Sequence, residues 1–249
     1  MDIQISESAG VRYLHFGSHW IQGAMRIARP WALELDYTRE MMAALLLRPD
    51  PDWPRTALLI GLGAGSLTKF LYRHRPQARL TVVEIDPEVV TAARLFFKLP
   101  PEDERLAIQL DDGADFVARA RQQFDLIMVD GFDENARTGM LDTLPFYLNC
   151  KACMSANGLL VTNLLTKRRG VRPSLERLEA AFDGRALAFP SCASGNVIAF
   201  AATGAPVDHS LGELKALARE LKVQTDLNLL PTLNRLEQAR RCAGGKLHL

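Results

Sequence analysis

The sequence predicts an α/β fold: a doubly wound, mostly parallel sheet with helices on both faces, preceded by a small β-rich segment. Three observations predict it. Short apolar runs alternate with helical patterns from residue 56 to residue 201. The first of these runs enters a glycine loop that opens a helix, the strand–turn–helix start of a βαβ unit. The acids collect at the ends of the runs: Glu84 and Asp86 after the second, Asp112 after the third, Asp130 and Asp133 after the fourth. Ligands of such sheets sit beyond the carboxyl ends of the strands, so these acids are expected around one cleft.

Taken in order, residues 1–30 carry short alternating apolar segments (Val11, Tyr13, Leu14, Phe16, then Trp20, Ile21, Ala24, Met25, Ile27) and read as one or two small hairpins. Residues 33–47 read as an amphipathic helix ended by Pro49 and Pro51. Residues 50–54 link this N-terminal segment (1–52) to the main domain (53–249). The run Ala57-Leu58-Leu59-Ile60 is the first strand, and a helix with Leu67, Phe70 and Leu71 on one face follows the glycines. Residues 80–85 are the second strand. Pro87 fits the first turn of the next helix, with Asp86 as its cap. Residues 106–110 are the third strand and 114–121 a short helix. Residues 124–129 (FDLIMV) are the fourth strand, apolar enough to be buried on both faces. A helix over 143–154, a turn at Asn157-Gly158 and a strand over 159–164 come next. A helix over 174–182, closing strands over 186–189 and 197–201, and a helix over 213–221 complete the pattern. Residues 227–239 read as a further helix or a loop, and the role of 205–249 stays open.

Composition excludes several classes. With 249 residues, 48% of them hydrophobic and 24% charged, the chain suits one full globular domain with an appendage. The net charge of +1 provides no basic field for nucleic acid, and Lys167-Arg168-Arg169 reads as a solvated loop. No apolar stretch is long enough for a membrane span. The N-terminus MDIQISESAG is acidic and polar, unlike a secretion signal, so cytoplasm is the expected location. Cys150 and Cys153 form a C-x-x-C with no second pair at zinc spacing, and read as buried small hydrophobes. The histidines form no i, i+4 pair on a helix, so no metal site is expected.

The glycine loop carries the main functional signal. Its glycines fall at alternate positions, Gly61, Gly63 and Gly65, and Ser66 stands where a dinucleotide fingerprint wants its third glycine. That weakens a reading as an NAD site. The spacing looks more like the loop of S-adenosylmethionine-binding transferases. Glu84 stands where a carboxylate can take two ribose hydroxyls.

With IGLGAGSL (60–67), VVEIDPEVV (82–90), DDGADFV (111–117) and FDLIMVDGFD (124–133), the chain resembles the spermidine synthase family, the polyamine aminopropyltransferases. A weaker match runs through 144–163. The resemblance covers roughly residues 20–165 and implies a small N-terminal β-domain before a Rossmann-like domain of the S-adenosylmethionine-dependent methyltransferase type. It implies that Gly61, Gly63, Gly65 and Glu84 bind the nucleoside. Asp112 would accept from the adenine amino group, with the Gly113 backbone beside it. Asp130 corresponds to the catalytic acid and Asp133 to the second acid, which binds the amine. Gln22 corresponds to a cleft-lining glutamine, and Tyr37 to a tyrosine before the Glu-Met pair, displaced by one residue. Decarboxylated S-adenosylmethionine is the implied co-substrate, a diamine such as putrescine the implied acceptor, and a homodimer or homotetramer the implied assembly.

Two departures keep alternatives open. Ala64 replaces the loop aspartate that helps hold the aminopropyl end, and Thr38-Arg39 replaces the usual Tyr-His or Tyr-Gln. A methyltransferase on the same fold, using S-adenosylmethionine itself, would tolerate fewer acids and would welcome an arginine for the cofactor carboxylate. A nucleoside-binding homologue without catalysis is the third reading.

Overall fold

The computed structural model describes residues 2–17, 20–132, 137–165, 170–192, 195–239 and 242–249. Three antiparallel strands come first: β1 (Ile3–Ser8), β2 (Val11–Phe16) and β3 (Ile21–Arg26), paired in the order β1-β2-β3. Alternation turns Leu14 and Phe16 of β2 into the core, and Val11 is buried at the start of the strand.

The amphipathic helix expected over 33–47 is instead two short helices, α1 (Asp36–Met41) and α2 (Ala44–Leu47). The N–H groups of Met42 and Ala43 reach back only three residues, to the carbonyls of Arg39 and Glu40, which tightens the chain and breaks the helix. All four residues of α2 are buried, so this segment has no solvent face. Helices this short are marginal on propensity. Burial of Leu45, Leu46 and Leu47, at roughly 1.5–3 kcal/mol each, compensates.

The main sheet follows: β4 (Thr56–Ile60), α3 (Ser66–His74), β5 (Arg79–Glu84), α4 (Pro87–Phe96), β6 (Leu106–Leu110), α5 (Gly113–Arg119), β7 (Phe124–Val129), α6 (Leu144–Ala152), β8 (Met154–Leu165), α7 (Arg172–Ala181), β9 (Ala186–Ala188) and β10 (Asn196–Ala202). The spatial order is β6-β5-β4-β7-β8-β10-β9. The pairs β4/β5, β5/β6, β4/β7 and β7/β8 are parallel. Strand β10 is antiparallel to both its neighbours. The chain winds outward from β4 through β5 to β6, then returns to β7 on the other side of β4. That reversal opens a crevice at the carboxyl ends of β4 and β7.

The apolar strands separate two cores. Ala57 and Leu59 of β4, with Leu126 and Met128 of β7, face one. Leu58, Ile60, Ile127 and Val129 face the other. Helices α3 and α4 and the N-terminal sheet pack into the first, α6 and α7 into the second. Cys150 and Cys153 lie buried in the second core, as the small hydrophobes their sequence suggested.

The C-terminal segment adds β11 (Asp208–Ser210), α8 (Leu211–Thr225), α9 (Leu230–Gln238) and β12 (Lys246–His248), with β11 paired to β12. Leu214, Ala218 and Leu221 of α8 and Leu233 and Leu236 of α9 join the first core. Arg235 of α9 forms an ion pair with the fully buried Glu40 of α1. The segment thus packs against the sheet, and none of its described residues lines the cleft described next. No helix among the described residues is long and apolar enough to cross a membrane.

Candidate active site

A cleft of about 960 Å³ opens at the β4/β7 reversal and extends to the end of the N-terminal sheet. Its floor begins at the glycine loop. Gly61, Gly63 and Gly65 all have positive φ. At Gly61, with φ 92°, a Cβ would fall 2.2 Å from the carbonyl oxygen of Asp130. Only glycine lets the ends of β4 and β7 approach this closely. The loop also presses on the N-terminal sheet: a Cβ at Gly23 would lie 2.6 Å from the Cβ of Ala64. Ser66 Oγ donates to the carbonyl of Ala24 across the same contact. Ala64 is therefore a packing residue beneath β3, and no carboxylate stands at its place.

Glu84 ends β5 and lines the cleft while almost fully buried. Oε2 accepts from the Leu62 N–H at 2.9 Å and Oε1 from the Asp86 N–H at 3.0 Å. Burial pushes its carboxyl above the ordinary range, and these backbone donors pull it back. With about four lone-pair sites on the carboxylate, room for a ligand hydroxyl remains beside these donors. Asp112 caps α5, its Oδ1 accepting from the N–H groups of Ala114 and Asp115, and it lines the cleft with Gly113.

At the other end stands Asp130, immediately after β7. Its Oδ2 accepts from the Tyr37 hydroxyl at 3.1 Å and its Oδ1 from Asn163 Nδ2 at 2.8 Å. Asn163 Oδ1 in turn accepts from Asn196 Nδ2 at 2.9 Å. Burial raises the Asp130 carboxyl above the usual range, against the lowering effect of Asn163 and Tyr37. Burial also raises the Tyr37 hydroxyl, and the Asp130 charge adds to that effect. Gln22, from β3, completes the wall. The arrangement offers a glycine-turn floor flanked by Glu84 and Asp112, with the anchored Asp130 carboxylate lining the same cleft.

The match to known proteins covers this whole arrangement. The family model for the spermine/spermidine synthase domain matches residues 35–168. The polyamine aminopropyltransferase of Chromobacterium violaceum is 37% identical over 246 residues, covering 99% of this chain and 93% of that protein. This chain belongs to the spermine/spermidine synthase family. A probable spermidine synthase from Corynebacterium glutamicum superposes with a TM-score of 0.73 at 22% identity, over 88% of this chain and 83% of that one. Human methyltransferase-like protein 13, solved in complex with SAH, gives 0.69 at 24% identity, over 78% and 93%. Both likenesses show the fold alone.

The chain brings together Gly61, Gly63, Glu84, Asp112, Gly113, Asp130, Tyr37 and Gln22 around one cleft. Gly65, although it caps α3, is not among the cleft-lining residues. Asp133 and Lys167-Arg168-Arg169 lie outside the described residues. The sequence argument for Arg39 is corrected. Arg39 turns back on its own segment, Nε donating to Leu33 O, Nη2 to Glu34 O and Nη1 to Asp36 Oδ1, and it does not line the cleft.

Sequence reasoning missed Asn163 and Asn196. Asn163 sits near the carboxyl end of β8, so the strand-end rule that sorted the acids would have found it had amides been included. Asn196 begins β10, and only the antiparallel course of that strand brings its start to the cleft edge.

Proposed function

We propose that this family member is an aminopropyltransferase that moves an aminopropyl group from decarboxylated S-adenosylmethionine to a diamine such as putrescine. The observation that carries the reading is Asp130: an anchored carboxylate, directly across the glycine turn from the nucleoside end of the cleft. The co-substrate supplies a sulfonium, a leaving group that departs as a neutral thioether and needs no general acid.

The chain's residues supply the rest. Glu84 takes the ribose hydroxyls, and Asp112 with the Gly113 backbone takes the adenine edge. The attacking amine is an ammonium at neutral pH and must lose a proton before it attacks. Asp130 binds that ammonium and accepts its proton, Asp133 holds the distal ammonium, and Gln22 lines the cleft. The amine nitrogen then bonds to the carbon beside sulfur as the carbon–sulfur bond breaks, and the electron pair leaves on sulfur. Alignment of the two substrates in one cleft supplies most of the remaining acceleration.

The methyltransferase alternative keeps one observation, the absence of a carboxylate at Ala64, and loses Arg39, which is committed to its own backbone. Incubation with each cofactor, with and without a diamine panel, separates the readings. Methylthioadenosine formed only with decarboxylated cofactor and amine supports aminopropyl transfer. S-adenosylhomocysteine supports methyl transfer, and nucleoside binding without either product supports the non-catalytic reading. The division at residue 52, a homodimeric or homotetrameric assembly and a cytoplasmic location belong to the same proposal. They are tested by limited proteolysis, sedimentation and cell fractionation.

A further inference from the structure

Asn163 and Asn196 form a chain of side-chain amides that ends on Asp130, and no part of the sequence reading assigned them a role. Asn163 is 3% exposed and Asn196 7% exposed. Strand pairing sets their places: Val129 is opposite Thr162, so the next residues, Asp130 and Asn163, lie side by side at the sheet edge. Asn163 is opposite Ile198, which puts Asn196 two residues further along the antiparallel strand. The bonding order fixes both amides. With Asn163 turned over, its oxygen would face Asp130 Oδ1 and its NH₂ would face the NH₂ of Asn196.

We propose that Asn163, anchored by Asn196, is a positioning residue that presents Asp130 to the substrate amine: it holds Oδ1 by an N–H bond and so fixes where the carboxylate points. The inference rests on the reading of Asp130 as the proton acceptor. Tyr37 grips the other oxygen, so the two donors fix the plane of the carboxylate between them. Bonds of this kind favour the charged form and work against the burial that raises the Asp130 carboxyl. A further titratable group acts through Tyr37: Cys192, whose thiol donates to the Asn196 carbonyl. Glu34, Asp36, Glu84, Asp112 and Arg137 stand farther round the same cleft.

The test is a ¹³C carboxyl titration of the aspartate-labelled full chain, with the Asp130 signal identified by its loss in Asp130→Asn. It is run on the parent, Asn163→Leu and Asn196→Ala, beside turnover with decarboxylated S-adenosylmethionine and a diamine across pH. In Asn163→Leu the Asp130 midpoint is expected to rise by about one pH unit, a ten-fold change in proton affinity. The acid limb of kcat should move up with it, kcat at neutral pH should fall about ten-fold, and the KM for the nucleoside should hold. Asn196→Ala should shift the midpoint in the same direction by about two- to three-fold in proton affinity, and carries the test if Asn163→Leu does not fold. A midpoint that stays fixed or falls in a folded variant, with only the melting temperature lowered, overturns the positioning role. A midpoint that rises while the parent transfers no aminopropyl group shows that Asn163 holds Asp130, but it overturns the reading of Asp130 as proton acceptor and the presentation to an amine with it.

Discussion

Glu84 is held by two backbone N–H groups from within its own βαβ unit, whereas Asp130 is held by side chains from residues 37 and 163, far away in the chain. The proposed nucleoside half of the cleft thus comes from β4, the glycine turn, the end of β5 and the cap of α5, which follow one another in the chain. The amine half is made by α1, the end of β7, β8 and the start of β10. Backbone donors come with the turn itself and leave little to choose. Side-chain donors must be supplied one by one, from elements remote in the chain. On the proposed function, recognition of the nucleoside would be built into the architecture and reactivity adjusted by separate side chains. The departures from the family pattern fit this division: at Thr38-Arg39 the helix changes while a tyrosine still reaches Asp130, and at Ala64 a carboxylate gives way to packing against Gly23.

The largest expected effect breaks the amine half alone. Asp130→Asn should lower turnover by roughly 10²–10⁴-fold, the usual worth of a positioned general base. Calorimetric titration with methylthioadenosine should show binding unchanged; a large loss of affinity would mean that the halves are not separable. Next in size, Glu84→Ala should weaken nucleoside binding by about 100-fold, through two hydroxyl bonds to a charged group that are worth roughly 1.5–3 kcal/mol each at most. It also orphans the Leu62 and Asp86 N–H groups, so thermal unfolding should show a stability loss of roughly 1–3 kcal/mol. An unchanged nucleoside affinity would remove Glu84 from the ribose site.

Tyr37→Phe should have a smaller effect, about a ten-fold loss in kcat/KM. Because the hydroxyl lowers the Asp130 pKa, its removal should raise that pKa and move the acid limb of the rate profile upward. A downward move would show that Tyr37 does not donate to Asp130 during turnover.

The smallest effect asks whether the amine half is supported from the C-terminal helices. Glu40 lies on the same short helix as Tyr37 and pairs with Arg235 of α9. Burial pushes its pKa up to about 7, while Arg235 and Thr232 pull it down. A carboxyl raised on folding binds its proton in the native state while the unfolded chain has already lost it. Stability from this group is therefore present at low pH and is lost as pH rises from about 4.5 to about 7. Chemical denaturation across that window should show a slope of up to about 1.4 kcal/mol per pH unit, flattened in Glu40→Gln. Equal slopes in both proteins would mean that Glu40 does not titrate there.

Much of this molecule was legible before any coordinates. The alternation of apolar runs with helices, the glycines at 61, 63 and 65, the cap at Asp86 and the acids at strand ends are local patterns, and the backbone reads them directly. The single helix expected over 33–47 was wrong because its apolar face is not one face: α2 is buried all round by tertiary neighbours that a local pattern does not contain. Arg39 was misread as a ligand group because sequence distance from the site says nothing about which carbonyls a long side chain will find. The resemblance to a known family pointed to Asp130 and Tyr37, but not to the bond between them.

The sequence by itself determined the alternating strands and helices, the glycine turn and the placing of acids at strand ends, since these depend on periods of two and 3.6 residues and on glycine's access to positive φ; the role proposed for Asp130 came from the family resemblance. The tertiary structure alone decided how that acid is held. The antiparallel course of β10 brings Asn196 to the cleft, the pairing of β7 with β8 sets Asn163 beside Asp130, and α1 delivers Tyr37. The reason is physical: a charge-assisted hydrogen bond needs its atoms within about 3 Å, and only the pairing of strands remote in sequence sets that distance.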